Sequence, residues 1–361
     1  MNSIDDTMSP MTVESPNFAV EVVAAVVAEN YDLLGEYTQL VSERDQNFRL
    51  KTSHGRGFVV KVTGLAEDRI ATDFQIAALC HFEENEFNYT PRVFRTLSGE
   101  KRSVITSAAG QEYSLRVVTW LDGSLLKDVG LTTNNASRFG QRLAELDLSL
   151  KSFDFEGDGQ AGLWDMQDAL QLRSLLPHVN DEKVHKYASA VLNQFEDSVG
   201  SALQALPRQA IHNDANPENI LIGADGDVSG FIDFGDALKA PRIMEVAIAA
   251  SYLRTVGDNP LKFIEAFVAA YHQRSPLSEA EFKLLFDLIR TRLTTTLIIM
   301  YWRLTARDED DPYRQKTLEN ESNAFEFLVF LSDLGHDAFN RCVKLTGSAT
   351  PNAVEFPGVP Q

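Results

Sequence analysis

His212-Asn213-Asp214-Ala215-Asn216-Pro217-Glu218-Asn219, then Ile220-Leu221-Ile222, the turn Gly223-Ala224-Asp225-Gly226-Asp227, and Val228 to Ile232 running into Asp233-Phe234-Gly235-Asp236, is the stretch on which the reading of this chain turns. Two short apolar runs about a Gly- and Asp-rich turn predict a β-hairpin. A tight hairpin brings Asn219, at its start, beside Asp233, at its end. An amide oxygen and a carboxylate are hard ligands, suited to Mg²⁺ rather than zinc. Asp214 adds a carboxylate able to accept a proton from a hydroxyl. Phosphoryl transfer depends on such positioning and charge neutralisation more than on covalent chemistry. The bland alternative is a set of turn-forming Asp and Asn residues. His212 reads as a scaffold residue bracing the loop, not as the base.

Further residues fall into register around this hairpin. The spacing D-x-x-x-x-N, with His two residues before it and a strand ending in Asp-Phe-Gly after it, matches the kinase catalytic loop and metal-binding motif. Upstream, Lys61 within Phe58-Val59-Val60-Lys61-Val62 fits the strand lysine that holds the α/β-phosphates. Its partner on the following helix stays open: Asp73 and Gln75 lie near the expected place, Glu67 and Asp68 a turn or two earlier. Gln75 could serve only as a neutral acceptor. The turn Ser42-Glu43-Arg44-Asp45-Gln46-Asn47 lacks glycine, so it is no G-x-G-x-x-G loop; Ser42, Gln46 and Asn47 offer donors to phosphate.

Working outward, Ser15-Pro16 predicts a helix start, with an Ala/Val-rich helix to about Tyr31. Alternation then predicts a hairpin of Asn47–Thr52 and Phe58–Val62, a helix from about Glu67 to Phe82, and strands at Arg92–Leu97, Ser103–Ser107 and Tyr113–Trp120. Beyond Leu121-Asp122-Gly123 the pattern is helical. Asn134 or Asn135 caps a helix striped by Phe139, Leu143, Leu146 and Leu150, another runs from about Asp181 to Leu206, and helices return from Pro241 almost to Leu345. Only the embedded hairpin interrupts them. The expectation is an α+β, protein-kinase-like fold of two lobes. Residues 1–30 form an N-terminal helical extension, 31–118 a β-rich nucleotide-binding lobe, 119–123 a hinge and 124–361 a mainly helical catalytic and substrate-binding lobe. Ligand clefts form readily at such junctions.

Composition bounds the partners. Lys+Arg 33 against Asp+Glu 52 gives a formal charge of −19 over 361 residues, which repels phosphate backbones and anionic lipid. Nucleic-acid and membrane partners are therefore not expected. The N-terminus has no basic n-region and no apolar run is long enough to span a bilayer, so a cytoplasmic location is expected. Cys80 and Cys342 make no metal spacing and read as two buried thiols in a reducing compartment. G-x-S-x-G, P-loop and G-x-G-x-x-G motifs are absent. Asn213 stands where a protein kinase has Arg, and Asp236 is followed within a few residues by Pro241 and a helical pattern. That leaves no activation segment to dock a polypeptide. A dead kinase fold acting as a binding module would have no need of Lys61, Asp214, Asn219 and Asp233 together.

The chain resembles the aminoglycoside phosphotransferase family of small-molecule kinases, and within it the hydroxylysine kinases and related amino-alcohol kinases. The likeness is carried by Ser42–Phe48, Lys61, Thr119-Trp120-Leu121-Asp122-Gly123, Leu163-Trp164-Asp165, Ile211–Ile222 and Gly230–Ala237. It implies a nucleoside triphosphate at the connector near Thr119 to Leu121, Mg²⁺, and ATP or GTP as donor. It also implies a small hydroxylated amine as acceptor, foremost 5-hydroxy-L-lysine, with homoserine, choline, ethanolamine or an aminoglycoside as alternatives. Asp236 and Asp165 could hold the amine, Trp164 could supply an aromatic face, and Arg290 or Arg292 could meet an acceptor carboxylate. Asn213 replaces a usual Gly, and Glu245 stands where relatives often carry Asp. Oligomeric state is left open.

Overall fold

Period-two alternation builds the first lobe of the computed structural model, which describes residues 15–343 apart from Glu43, Ala66, Gln160, Ala161, Val256, Asp258 and 307–322. Strands β1 (Gly35–Leu40), β2 (Gln46–Thr52), β3 (Gly57–Val62), β4 (Val93–Phe94), β5 (Ser103–Thr106) and β6 (Glu112–Thr119) form one antiparallel sheet. Their order is β1-β2-β3-β6-β4, with β5 paired to the far end of β6. Phe48, Leu50, Phe58, Val60, Val62, Leu115 and Val117 point inward and meet Val23, Val27 and Tyr31 of helix α1 (Val20–Tyr31). That helix starts later than Ser15-Pro16 predicted. The Gln46 side chain accepts from Phe18 N–H (2.8 Å) and donates to Phe18 C=O (3.0 Å), holding the preceding segment off helical geometry. Residues 1–14 and the end of the predicted C-terminal helix at Leu345 lie outside the described residues.

Helix α2 (Arg69–Glu84) is capped by the Asp68 carboxylate, which accepts from Ile70 N–H at 2.9 Å. Its buried Phe74, Leu79 and Phe82 join the second, larger hydrophobic cluster, so this helix ties the sheet to the other lobe.

That lobe holds α3 (Thr133–Leu150), a 3₁₀ run over Met166–His178, α4 (Glu182–Gln194), α5 (Ile243–Tyr252), α6 (Lys262–Arg274), α7 (Glu279–Ala306), α8 (Ala324–Leu334) and α9 (His336–Cys342). The stripe Phe139, Leu143, Leu146 and Leu150 is buried as its spacing requires. The N-cap of α3 is Thr132, not Asn134 or Asn135. Its hydroxyl accepts from Asn135 N–H (3.1 Å), while Asn135 Oδ1 accepts from Thr132 N–H (2.7 Å), closing a capping box. Between α4 and α5 lie β8 (Gln209–Ile211), β9 (Ile220–Ile222), β10 (Val228–Phe231) and β11 (Leu238–Ala240). The predicted hairpin is β9–β10, widened by β7 (Ser124–Leu125) on β9. A second ribbon, β8 against β11, was not expected. Three-residue strands are too short to show alternation, yet their pairing of Ile211 with Leu238 sets both ends of the loop region.

No helix among the described residues is long and apolar enough to cross a membrane. Cys80 is buried, whereas Cys342 is only partly so, and no disulfide joins them.

Candidate active site

The loop from β8 to β9 is shaped by strain and a buried acid. Asn213 has φ +64°, a left-handed conformation that Asn tolerates better than most residues other than Gly. Glu245 of α5 is fully buried and its Oε2 accepts from Asn213 N–H at 2.8 Å. His212, also fully buried, accepts Asp214 N–H on Nδ1 (3.2 Å), so Nε2 carries the proton it donates to Ile232 C=O (2.9 Å). Its ring packs on Phe234 at 4.5 Å between centroids. It braces the loop.

Asp214 is held at both oxygens. Oδ2 accepts from Asn219 Nδ2 (2.7 Å), and Oδ1 accepts from Asn216 Nδ2 (2.9 Å) and faces Arg292 (3.4 Å). Burial first, then Asp236, pushes its pKa up to about 7 against the pull of Arg292. Asn219 thus directs its amide N–H₂ at Asp214. Among the described residues nothing donates to its Oδ1.

Asp233 also has positive φ, +59°. Its Oδ1 accepts from Lys61 Nζ (3.2 Å) and Gly235 N–H (3.3 Å). Lys61, then Arg44, holds the carboxyl well below the usual range. Asp233 is therefore an ionised oxygen donor at the hairpin exit, where Ile232 N–H donates to Asn219 C=O (2.9 Å), and its carboxylate and the Asn219 amide oxygen both suit a hard divalent cation. No group of three or more His, Cys, Asp or Glu among the described residues is arranged for a metal. Two protein ligands suffice where phosphate and water complete the shell.

Of the residues left open, Asp73, Asp68 and Gln75 have other partners, whereas Glu67 lies near enough for Lys61 to act on its charge. Asp73 pairs with Arg102 (2.9 Å), Asp68 caps α2, and Asp45 stands 3.9 Å from Lys61 Nζ. Asp45, buried in the glycine-free turn, is the residue the sequence reading missed. Its signal is register: Asn47 pairs with Lys61 across β2 and β3, two residues from Asp45. Buried Arg116 lies 3.9 Å from Asp45 and donates to Gln75 Oε1 (3.0 Å), while Gln75 Nε2 donates to Glu67 (2.8 Å) and Gly235 C=O (3.2 Å). Gln75 is a bridge, not a lysine partner. Burial first, then Asp45, raises the Glu67 pKa.

The remaining candidates divide. Ser42 Oγ accepts from Asp45 N–H (3.3 Å), and Asn47 is 9% exposed with its Oδ1 unpaired. Gln46 is a correction, because both ends of its amide hold Phe18. Thr119 Oγ1 accepts from Arg92 N–H (2.9 Å), and Leu121 packs so closely over Gly230 that a Cβ there would lie 2.6 Å from it. Asp236 is ion-paired to Arg44 at 2.9 Å.

The remaining substrate candidates have partners within the protein. Asp165 caps the 3₁₀ run through Gln167 N–H (2.9 Å), its pKa raised by burial to about 6, and lines a cavity of ≈ 440 Å³ with Asp158, Asp168 and Arg208, away from Asp214. Arg292 is 2% exposed, stacks on the Trp164 ring at 4.6 Å and faces Asp214 at 3.4 Å. Arg290 donates to Gln194 (2.7 Å) and ties α7 to α4.

A carboxylate held beside two hard-oxygen donors and a strand lysine defines a phosphotransferase centre in chemical terms. The family model for the phosphotransferase enzyme family (APH) matches residues 36–282, so the chain belongs to that family and is a small-molecule kinase. The hydroxylysine kinase of Danio rerio is 25% identical to it over 345 residues, 90% of this chain and 95% of that protein. A microcompartment-associated aminopropanol kinase of known structure shares the fold, with TM-score 0.67 at 14% identity over 91% of this chain and 100% of that one. So does an amicoumacin kinase in complex with AMP-PNP and Ca²⁺, with TM-score 0.66 at 14% identity over 86% and 94%.

Proposed function

We propose that this chain transfers the γ-phosphate of ATP or GTP to the hydroxyl of a small amino alcohol, with 5-hydroxy-L-lysine the leading acceptor. The observation that carries the reaction is the Asp214 carboxylate fixed by Asn216 and Asn219, beside the Lys61–Asp233 pair. Likeness to hydroxylysine kinase along 90% of the chain supports the acceptor. The short path from Asp233 through β11 to α5 supports a small molecule over a protein, since no segment intervenes to dock a polypeptide.

In this reading Asp214 accepts the hydroxyl proton as the acceptor oxygen bonds to the γ-phosphorus. The bond to the bridging oxygen breaks, and the nucleoside diphosphate leaves with that electron pair. Asn219 Oδ1 and Asp233 would hold Mg²⁺, which would supply charge neutralisation on the phosphates. Lys61 binds donor phosphates, oriented by Asp45 and Asp233. Ser42 and Asn47 offer donors above them, and Thr119 to Leu121 flank the base. Residues 31–118 act as the nucleotide-binding lobe, 119–123 as hinge and 124–361 as catalytic lobe, in the cytoplasm where ATP and GTP are held.

Steady-state assays with Mg-ATP and Mg-GTP against hydroxylysine, homoserine, choline, ethanolamine and an aminoglycoside test this. The highest kcat/KM is expected for hydroxylysine. No turnover with any acceptor, despite nucleotide binding, returns the chain to a binding module.

A further inference from the structure

Arg44 lies in the glycine-free turn between β1 and β2, yet its guanidinium reaches the opposite lobe. NH2 stands 2.9 Å from Asp236 Oδ1. A Cβ added to Gly235 would lie 3.4 Å from the same nitrogen and 3.2 Å from Asp233 Oδ1, so the guanidinium sits over Gly235 between two carboxylates. The main chain behind it is fixed: Gly64 N–H donates to Asp45 Oδ1 (3.1 Å), and a Cβ on Gly64 would come within 2.6 Å of Arg44 C=O. Only the side chain has room to change partners.

We infer that Arg44 is a donor-binding cation of this kinase, and that a nucleoside triphosphate draws it off Asp236 and thereby frees Asp236 for the acceptor's ammonium. The inference rests on the proposed phosphotransferase reading. The two side chains keep 26% and 22% of their surface open, so a ligand can reach the pair, although Asp236 holds the guanidinium firmly and is the main cause that raises its pKa. A phosphate chain offers the guanidinium a bidentate, more highly charged partner. The turn has no glycine to let backbone N–H groups approach phosphate closely, so a side-chain cation fills that part. Once released, Asp236 is a carboxylate near enough to Asp214 to act on its charge. Donor and amine then bind with positive, reciprocal coupling.

Calorimetric titration of Mg-AMP-PNP and of 5-hydroxylysine, each with and without the other, tests this on the full chain. Wild type should bind 5-hydroxylysine about 5-fold or more tighter with Mg-AMP-PNP present. Arg44→Gln should weaken Mg-AMP-PNP about 10-fold or more, the usual loss for a charged hydrogen-bond partner. It should also bind 5-hydroxylysine alone as tightly as wild type does with nucleotide, and Arg44→Lys should recover part of the nucleotide affinity. Asp236→Asn should weaken 5-hydroxylysine and tighten Mg-AMP-PNP. Unchanged nucleotide affinity in Arg44→Gln, or coupling that persists there, overturns the inference while leaving the kinase reading standing. Wild type that binds no nucleotide overturns both.

Discussion

Asn213 and Asp233 bracket the site in left-handed backbone that L-residues avoid, and each places a carboxylate-bearing loop against a fixed acceptor or donor. At this scale the placement was legible wherever spacing carries it: Asp214 meets Asn219, Lys61 meets Asp233, and Asp233 acts on the charge of Asp214. Asp45 was not legible, because it sits in a polar turn, and Arg292 was legible as a candidate but not as the partner of Asp214, because its burial depends on distant elements. If Lys61 binds donor phosphates, Lys61→Met lowers kcat far more than thermal stability; wild-type kinetics in that variant return Lys61 to a structural role. Asp214 must be ionised to accept a proton, and burial has raised its pKa to about 7. The free-enzyme kcat/KM should therefore rise through about pH 7 and level off above it, and a flat profile from about pH 5 to 8 contradicts this. Stability moves the other way. A raised acid contributes stability fully below its unfolded pKa, so that part declines as pH climbs from the ordinary carboxylate range towards about 7.

Long elements were readable and short ones were not. Strands β2 and β3, helix α2 and the α3 stripe follow from periods of two and 3.6, which burial enforces locally. The β8–β11 ribbon, the 3₁₀ run and the late start of α1 depend on partners far along the chain, such as Gln46 for Phe18. Gly140 marks another long-range demand: a Cβ there would lie 2.1 Å from Phe267 C=O, so α3 and α6 meet backbone to backbone. Gly140→Ala should force them apart and destabilise the protein by about 1–3 kcal/mol, read from urea unfolding. An unchanged urea midpoint would mean that the two helices can separate without loss.

Taken whole, the molecule is strongly acidic, −19 in formal charge, and carries its reactive groups where a small β-rich lobe meets a helical one. Its charge disfavours polyanions and draws in cationic acceptors, so KM for an amine acceptor should rise with salt while kcat changes little. A KM that stays level from about 0.02 to 0.5 M KCl would assign the acidity to solubility alone. The most direct test is the rate of phosphate transfer from Mg-ATP and Mg-GTP to 5-hydroxylysine by wild type and Asp214→Asn. A proton acceptor acting in the transition state predicts kcat lower by roughly 10²–10⁴-fold in the variant with KM little changed. Equal kcat values for the two proteins, or phosphorylation of polypeptides but of no small hydroxylated amine, would contradict it.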